Sequence, residues 1–170
     1  MRDLISDVCI EIMSDALPLL IPTSNNVSKV EPNTDCYRLN PHMNEPYWLK
    51  KLIFLGYFLG WSLRSLGGLG IELAPAFWNR VCGGPTYVYS LEDLRSMDVF
   101  RHDTLQQLKT ASEMFKDEAE FAAMYEGYNF EGDFGDGETY VELCDGGSKK
   151  PVTIANTNEY IELYLKKYTE

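Results

Sequence analysis

The sequence predicts an α+β fold that is mainly helical, with a small β element near its C-terminal end. Apolar residues recur at three- and four-residue spacing in the segments before Gly127. Beyond it, glycines punctuate short stretches that alternate as strands do. The 170 residues suit one domain able to bury a core, and 45% apolar against 24% charged residues marks a folded globular chain rather than a disordered one.

Leu4, Ile5, Val8, Ile12 and Ala16 carry helical spacing, so the first element is an amphipathic helix. Pro18 and Pro22 stop it and leave Leu19-Leu20-Ile21 as a short extended piece. From Thr23 to Pro46 the chain is rich in Asn, Ser, Thr and Pro without periodicity, which predicts a surface loop. Tyr47 to Ser65 reads as a helix apolar all round, hence buried on several sides. Gly56 and Gly60 share one face of it and would let a neighbouring helix approach closely, and Gly67-Gly68-Leu69-Gly70 would end it. Ile71–Leu73 is expected to be extended and Pro75–Cys82 helical, with Phe77, Trp78 and Val81.

Ser90-Leu91-Glu92-Asp93 is a capping-box variant: the Ser90 hydroxyl can accept from free backbone amides, with Asp93 at the third helical position. A helix over Asp103–Met114 with Leu105 and Leu108 inward follows, then a short one over Asp117–Tyr125. Thr139–Leu143 alternates as a strand, and Pro151–Ile154 is its expected partner. Asn156 with Glu159 signals a last helix, along which Tyr160, Leu163, Tyr164 and Lys167 are spaced; it reaches Glu170 without a stop signal, as though cut within the element.

A net charge of −11 argues against nucleic-acid partners, which need clustered Lys and Arg. The basic groups are pairs only: Lys50–Lys51, Lys149–Lys150 and Lys166–Lys167. The start of the chain carries charges where a signal peptide has its apolar run, and the longest uncharged apolar stretch, Leu52–Leu63, falls short of the roughly 20 residues a membrane helix needs. No membrane partner is expected. Cys9, Cys36, Cys82 and Cys144 are far apart with no C-x-x-C pair, so reduced thiols in the cytosol or nucleus are the expectation.

No constellation of catalytic residues emerges. A reactive thiol needs exposure and a neighbour that favours thiolate. Cys9 lies on or beside an apolar stripe, Cys82 at a helix end and Cys144 at a strand end, and none has a histidine near in sequence; each reads as structural. The acidic loop Glu131–Glu138 has Asp133, Asp136 and Glu138 at the wrong spacing for a helix-flanked calcium loop and reads as a hairpin connection. Gly67–Gly70 lacks both the dinucleotide spacing and a phosphate-binding lysine. His42 and His102 are the only histidines for a metal site; His102 reads as a surface residue on a helix, with pairing to Asp98 or Asp103 as the other possibility. Tyr125, Tyr128 and Phe130 read as core packing, with a protein-binding patch as the other possibility. Catalytic, cofactor and metal residues are therefore all expected to be absent.

The order of motifs adds a different kind of information. Leu52-Ile53-Phe54-Leu55-Gly56-Tyr57-Phe58-Leu59-Gly60-Trp61-Ser62-Leu63-Arg64 resembles the F-x-x-L-G-x-x-x-G helix of HECT-type E3 ubiquitin ligases. Ile71-Glu72-Leu73, Ala76–Arg80 and Ser90–Asp98 are similar to that family's next extended, aromatic-helix and x-L-x-D-L-x-x-x-D segments. Val141–Gly147, Pro151-Val152-Thr153 and Asn158–Leu163 look like its L-x-x-G-G, V-T and N-x-x-E-Y-x-x-L stretch, and Leu19–Asn25 with Leu39-Asn40-Pro41 like its I-P-x-x-N and N-P signals. The looser turn at Gly67–Gly70 and added residues at Phe100–Asp103 depart from the pattern.

The resemblance implies that residues 1–170 are a partial HECT domain, the first part of the N-lobe's larger subdomain. In that family an E2-docking subdomain and a C-lobe cysteine carry ubiquitin from E2 to lysine; both would lie beyond Glu170, so no catalytic residue is carried onto this chain. The implied partners are those missing parts, and ubiquitin and E2 through the parent protein. A non-catalytic interaction module of the same fold is the alternative.

Overall fold

In the computed structural model, which describes residues 2–14, 16–40, 46–64, 70–134 and 140–169, helices dominate and strands are limited to two small antiparallel pairs. The fold is thus α+β and mainly α. Contacts divide the chain into two units: Met1–Pro85 with Ser96–Val99, and Thr86–Arg95 with Phe100–Glu170.

In the first unit, α1 (Arg2–Ile12) ends well before Pro18. Strand β1 (Leu20–Pro22) pairs with β2 (Tyr37–Leu39), Ile21 opposite Arg38. Tyr37 also bridges Leu73 in parallel: its amide donates to the Glu72 carbonyl at 2.7 Å and its carbonyl accepts from the Ala74 amide at 2.9 Å. Helix α3 (Pro46–Arg64) and α4 (Pro75–Gly83) follow, the latter with proline at its start, where no amide is needed. Cys9, Ile12, Leu19, Leu20, Leu55, Leu59, Ile71 and Leu73 form the buried core, flanked by Trp48, Leu52, Phe58, Phe77 and Trp78.

Two expectations fail here. The stretch Thr23–Pro46 is not simply a surface loop. It holds helix α2 (Ser24–Ser28) as well as β2, and it buries Thr23, Asn25, Asn26 and Cys36. The reason is hydrogen bonding rather than apolar burial. The Thr23 hydroxyl accepts from the Asn26 amide (3.2 Å), Asn26 Nδ2 donates to the Cys36 carbonyl (3.2 Å), and Asn25 Nδ2 donates to the Pro32 carbonyl (2.9 Å). Asn25 also reaches residues distant in sequence: its amide donates to the Met97 carbonyl (3.0 Å) and its Oδ1 accepts from the Val99 amide (2.8 Å). Asn33 Nδ2 donates to the Ser96 carbonyl at 3.2 Å. Buried polar groups matched in this way leave no periodic trace in a sequence.

Nor is α3 buried on several sides. Only Leu55, Leu59 and Ser62 are buried, while Ile53, Phe54, Tyr57, Trp61 and Leu63 are exposed. Among the described residues nothing lies within 4 Å of where a Cβ would stand at Gly56 or Gly60, so no described helix packs closely on that face. The expected stop at Gly67–Leu69 lies outside the described residues, as do Pro41, His42 and Gly135–Thr139.

In the second unit, α5 (Leu91–Arg95) starts on the predicted capping box. The Asp93 amide donates to Ser90 Oγ (3.2 Å), and Asp93 Oδ2 accepts from the Ser90 amide (2.8 Å). Helix α6 (Val99–Met114) begins four residues before the expected Asp103, with Leu105 and Leu108 buried as expected. Asp117 caps α7 (Glu118–Met124) by accepting from the Ala119 amide. Strand β3 (Glu131–Asp133) pairs with β4 (Tyr140–Glu142), Gly132 opposite Val141. The expected β4 partner, Pro151–Ile154, instead contributes a single bridge, Pro151 to Asn129, and then a helical turn over Ile154–Asn156. A Thr153–Asn156 capping box leads into α8 (Thr157–Thr169), which buries Tyr160, Ile161, Tyr164, Leu165 and Tyr168.

Candidate functional site

The cleft that best resembles a site lies within the second unit, between α6, the β3–β4 hairpin and α8. It encloses about 570 Å³ and is lined by Arg101, Tyr128, Glu131, Asp133, Tyr140 and Tyr160 among others. Four of its polar wall residues, Arg101, Asp133, Tyr160 and Tyr164, have a structural task. Arg101 Nη2 pairs with Asp133 Oδ2 at 3.1 Å, and Arg101 Nε donates to the Asp133 carbonyl at 3.1 Å. Tyr160 donates its hydroxyl to the Glu131 carbonyl and Tyr164 donates to the Asp133 carbonyl, both at 3.1 Å. Two helix tyrosines and one arginine thereby hold β3 in place.

Gly132 is required for this closeness. A Cβ there would meet the Phe134 ring at 2.6 Å and the Tyr164 ring at 2.8 Å. Burial first, and the neighbouring Tyr164 second, hold the Tyr160 phenol well above the ordinary tyrosine range. It remains a neutral donor at physiological pH, and an acid–base role needs a pKa nearer to neutrality. These contacts suit the cleft to holding β3 in place, and the Tyr160 phenol to donating a hydrogen bond rather than to moving a proton. Sequence reasoning missed it because β3 (Glu-Gly-Asp) lacks the apolar alternation that marks a strand.

The sequence-derived candidates do not converge on this cleft, apart from Tyr128 and Asp133. Cys9 and Cys36 are buried, and burial, then Glu72 and Asp35, push the Cys36 thiol up, away from thiolate. Cys82 is exposed on α4 and Cys144 is half-buried after β4. Among the described residues no group of three or more His, Cys, Asp or Glu side chains could hold a metal ion. His102 Nδ1 lies 2.8 Å from Asp103 Oδ1 and its side chain is only 14% exposed, so the ring is a paired, largely covered group rather than the surface residue expected. Of the three aromatics, Phe130 is fully buried and stacks edge-on with Tyr160 at 5.5 Å, Tyr125 is half-buried, and Tyr128 is exposed.

The lysine pairs behave as separate surface groups. Lys51 lies over the Tyr47 and Trp48 rings, and Lys150 sits over Phe130 while pairing with Glu159 at 2.8 Å. No described helix is long and apolar enough to cross a membrane.

Comparison with known proteins adds what the geometry alone does not. Over 90 residues the chain is 32% identical to the E3 ubiquitin-protein ligase HERC2 of Mus musculus and 31% identical to HERC2 of Homo sapiens. Each match covers 53% of this chain but only 2% of the relative, so the shared stretch is a small part of a far longer protein. The family model described as HECT-domain (ubiquitin-transferase) matches residues 6–170, and the chain belongs to that family.

Proposed function

We propose that residues 1–170 are a partial HECT domain and serve as N-lobe scaffold in a HECT E3 ubiquitin ligase. The parent takes ubiquitin from E2 onto a cysteine outside these residues and passes it to substrate lysines. The chain's partners are the E2-docking subdomain and the C-lobe, and through the parent ubiquitin and E2, in the cytoplasm or nucleus. The observation that carries the reading is the family match running through nearly the whole chain. The chemistry of two of the four thiols, Cys9 and Cys36, agrees with it. Transthiolation needs an accessible thiolate, whereas Cys9 and Cys36 are buried and Cys36 is biased towards the neutral thiol.

The test incubates the 170-residue chain, and separately the full-length protein, with E1, E2, ATP and ubiquitin. The full-length protein forms a ubiquitin adduct that a reductant removes, and the 170-residue chain forms none. An adduct on the 170-residue chain would give one of its cysteines the catalytic role. Absence of an adduct on the full-length protein would favour a non-catalytic interaction module.

A further inference from the structure

The cleft between α6, the β3–β4 hairpin and α8 holds more polar chemistry than the fastening of β3 uses. Glu131 and Asp133 are two residues apart on β3, so their side chains leave the strand on the same side, with Cα atoms about 7 Å apart. Tyr140, directly opposite Asp133 on β4, projects from that side too. The Asp133 carboxylate is engaged: Arg101 pairs with it at 3.1 Å, and the same guanidinium stands over the Tyr168 ring, 5.7 Å from its centre. The half-buried Glu131 carboxylate makes no ion pair among the described residues. Tyr128, Tyr140 and Tyr160 line the cleft with it, and Glu131, Tyr128 and Tyr140 all stand near enough to the Tyr160 hydroxyl to disfavour its ionisation.

Carboxylate and ring therefore occur twice along this strand. At Asp133 the chain itself supplies the guanidinium that satisfies them; at Glu131 no described residue does. With Asp133 neutralised by Arg101, the charge left in the wall is that of Glu131, and a half-buried charge is screened less than one in open solvent. Aromatic rings add their negative faces. Tyr128 and Tyr140 are 40% and 65% exposed, so those faces can be reached from solvent. Such a site selects a cation, and a guanidinium above an ammonium, because it is planar, weakly hydrated, stacks on rings and forks onto a carboxylate. The volume of about 570 Å³ lies within the roughly 300–1,000 Å³ of clefts that hold small ligands, with room for a side chain and the backbone bearing it. Free arginine fits less well: its own carboxylate would face Glu131, and the wall's cation, Arg101, is already engaged.

We propose that this cleft binds the arginine side chain of a partner protein, its guanidinium paired with the Glu131 carboxylate and stacked on the Tyr128 and Tyr140 rings. The inference goes beyond the scaffold reading above and stands on the cleft alone.

Isothermal titration calorimetry of the full-length protein with the blocked peptide acetyl-Gly-Arg-Gly-amide tests this. The peptide binds saturably, one per chain. Citrulline in place of its arginine keeps the shape, removes the charge and weakens binding at least about tenfold. Glu131→Gln weakens it by a similar factor, and Tyr140→Leu, which keeps apolar bulk but removes the ring, by about threefold or more. Both variants melt within about 1 °C of the parent, because neither side chain is buried. On the unmutated protein, a diazirine carried by the peptide's acyl cap cross-links to residues 128–133 or 140–142. Absence of binding overturns the proposal, and so does a cross-link confined to other residues. Binding that citrulline, Glu131→Gln and Tyr140→Leu leave unchanged belongs to the chain's general negative charge and overturns it. Equal affinity for the lysine peptide refutes the choice of guanidinium, and equal affinity for free arginine refutes a protein partner. A failed thioester assay would sink the ligase reading and leave these outcomes untouched.

Discussion

Asp93→Ala removes the hub that starts α5. The carboxylate is buried, 3% exposed, and its Oδ2 accepts from the Tyr87 hydroxyl (2.7 Å), the Ser90 amide (2.8 Å) and the Ser90 hydroxyl (2.8 Å). A hydrogen bond to a charged group contributes about 1.5–3 kcal/mol, and losing a helix cap costs about 1 kcal/mol. These terms share atoms and do not add fully. Ser90 is exposed, so water can recover part of its loss, whereas the Tyr87 hydroxyl is only part-exposed. The expected cost is about 2–4 kcal/mol. With a urea dependence of about 2 kcal/mol per molar, the unfolding midpoint falls by about 1–2 M, followed by circular dichroism at 222 nm. Asp93→Asn keeps an acceptor and gives up the charge, so it falls between the variant and the parent. A midpoint for Asp93→Ala within about 0.2 M of the parent would refute the assignment of Asp93 as hub.

Gly132→Ala places a methyl against the Phe134 and Tyr164 rings, and overpacking of this kind costs about 1–3 kcal/mol. Its melting temperature drops in a thermal scan, and a Tm within about 1 °C of the parent contradicts the close approach. The raised Tyr160 phenol sets an alkaline limit. Its folded pKa lies above the unfolded value of about 10, so its contribution is complete below that pH and is lost as pH rises through the folded value. Tyrosinate absorbance at 295 nm against pH shows one phenol that titrates late and together with loss of helix. In Tyr160→Phe that late step is gone, and its persistence would assign the step elsewhere.

Elements whose stabilisation is local were legible in the sequence. The Ser90–Asp93 box depends on residues three positions apart and stands where the spacing put it, and the short helix expected over Asp117–Tyr125 starts on the Asp117 cap, whereas α1 ends at Ile12, well before the Pro18 expected to stop it. Features set by distant partners were not legible. Asn25 and Asn26 look like loop residues until Met97, Val99 and Cys36 are placed beside them. Glu131-Gly132-Asp133 looks like a turn until Tyr160 and Tyr164 donate to its carbonyls. The apolar character of α3 was plain, but a sequence states only that a face avoids water, and here much of that face is not covered by these residues. The cleft escaped notice for the same reason as β3.

The hydrogen bonds of Asn25 also carry a consequence for the timing of synthesis. Its side-chain oxygen waits for the Val99 amide, 74 positions later in the chain. At about 5–20 residues per second on the ribosome, that interval lasts about 4–15 s, during which the Asn25 side chain has only nearer groups to bond. The first unit is therefore not a beginning that can be completed before the second starts. Its final stitch, Ser96–Val99, is made only after Thr86–Arg95 has emerged. A boundary drawn at Pro85 would be a poor place to divide the gene, because it would separate Asn25 and Asn33 from the backbone groups they hold.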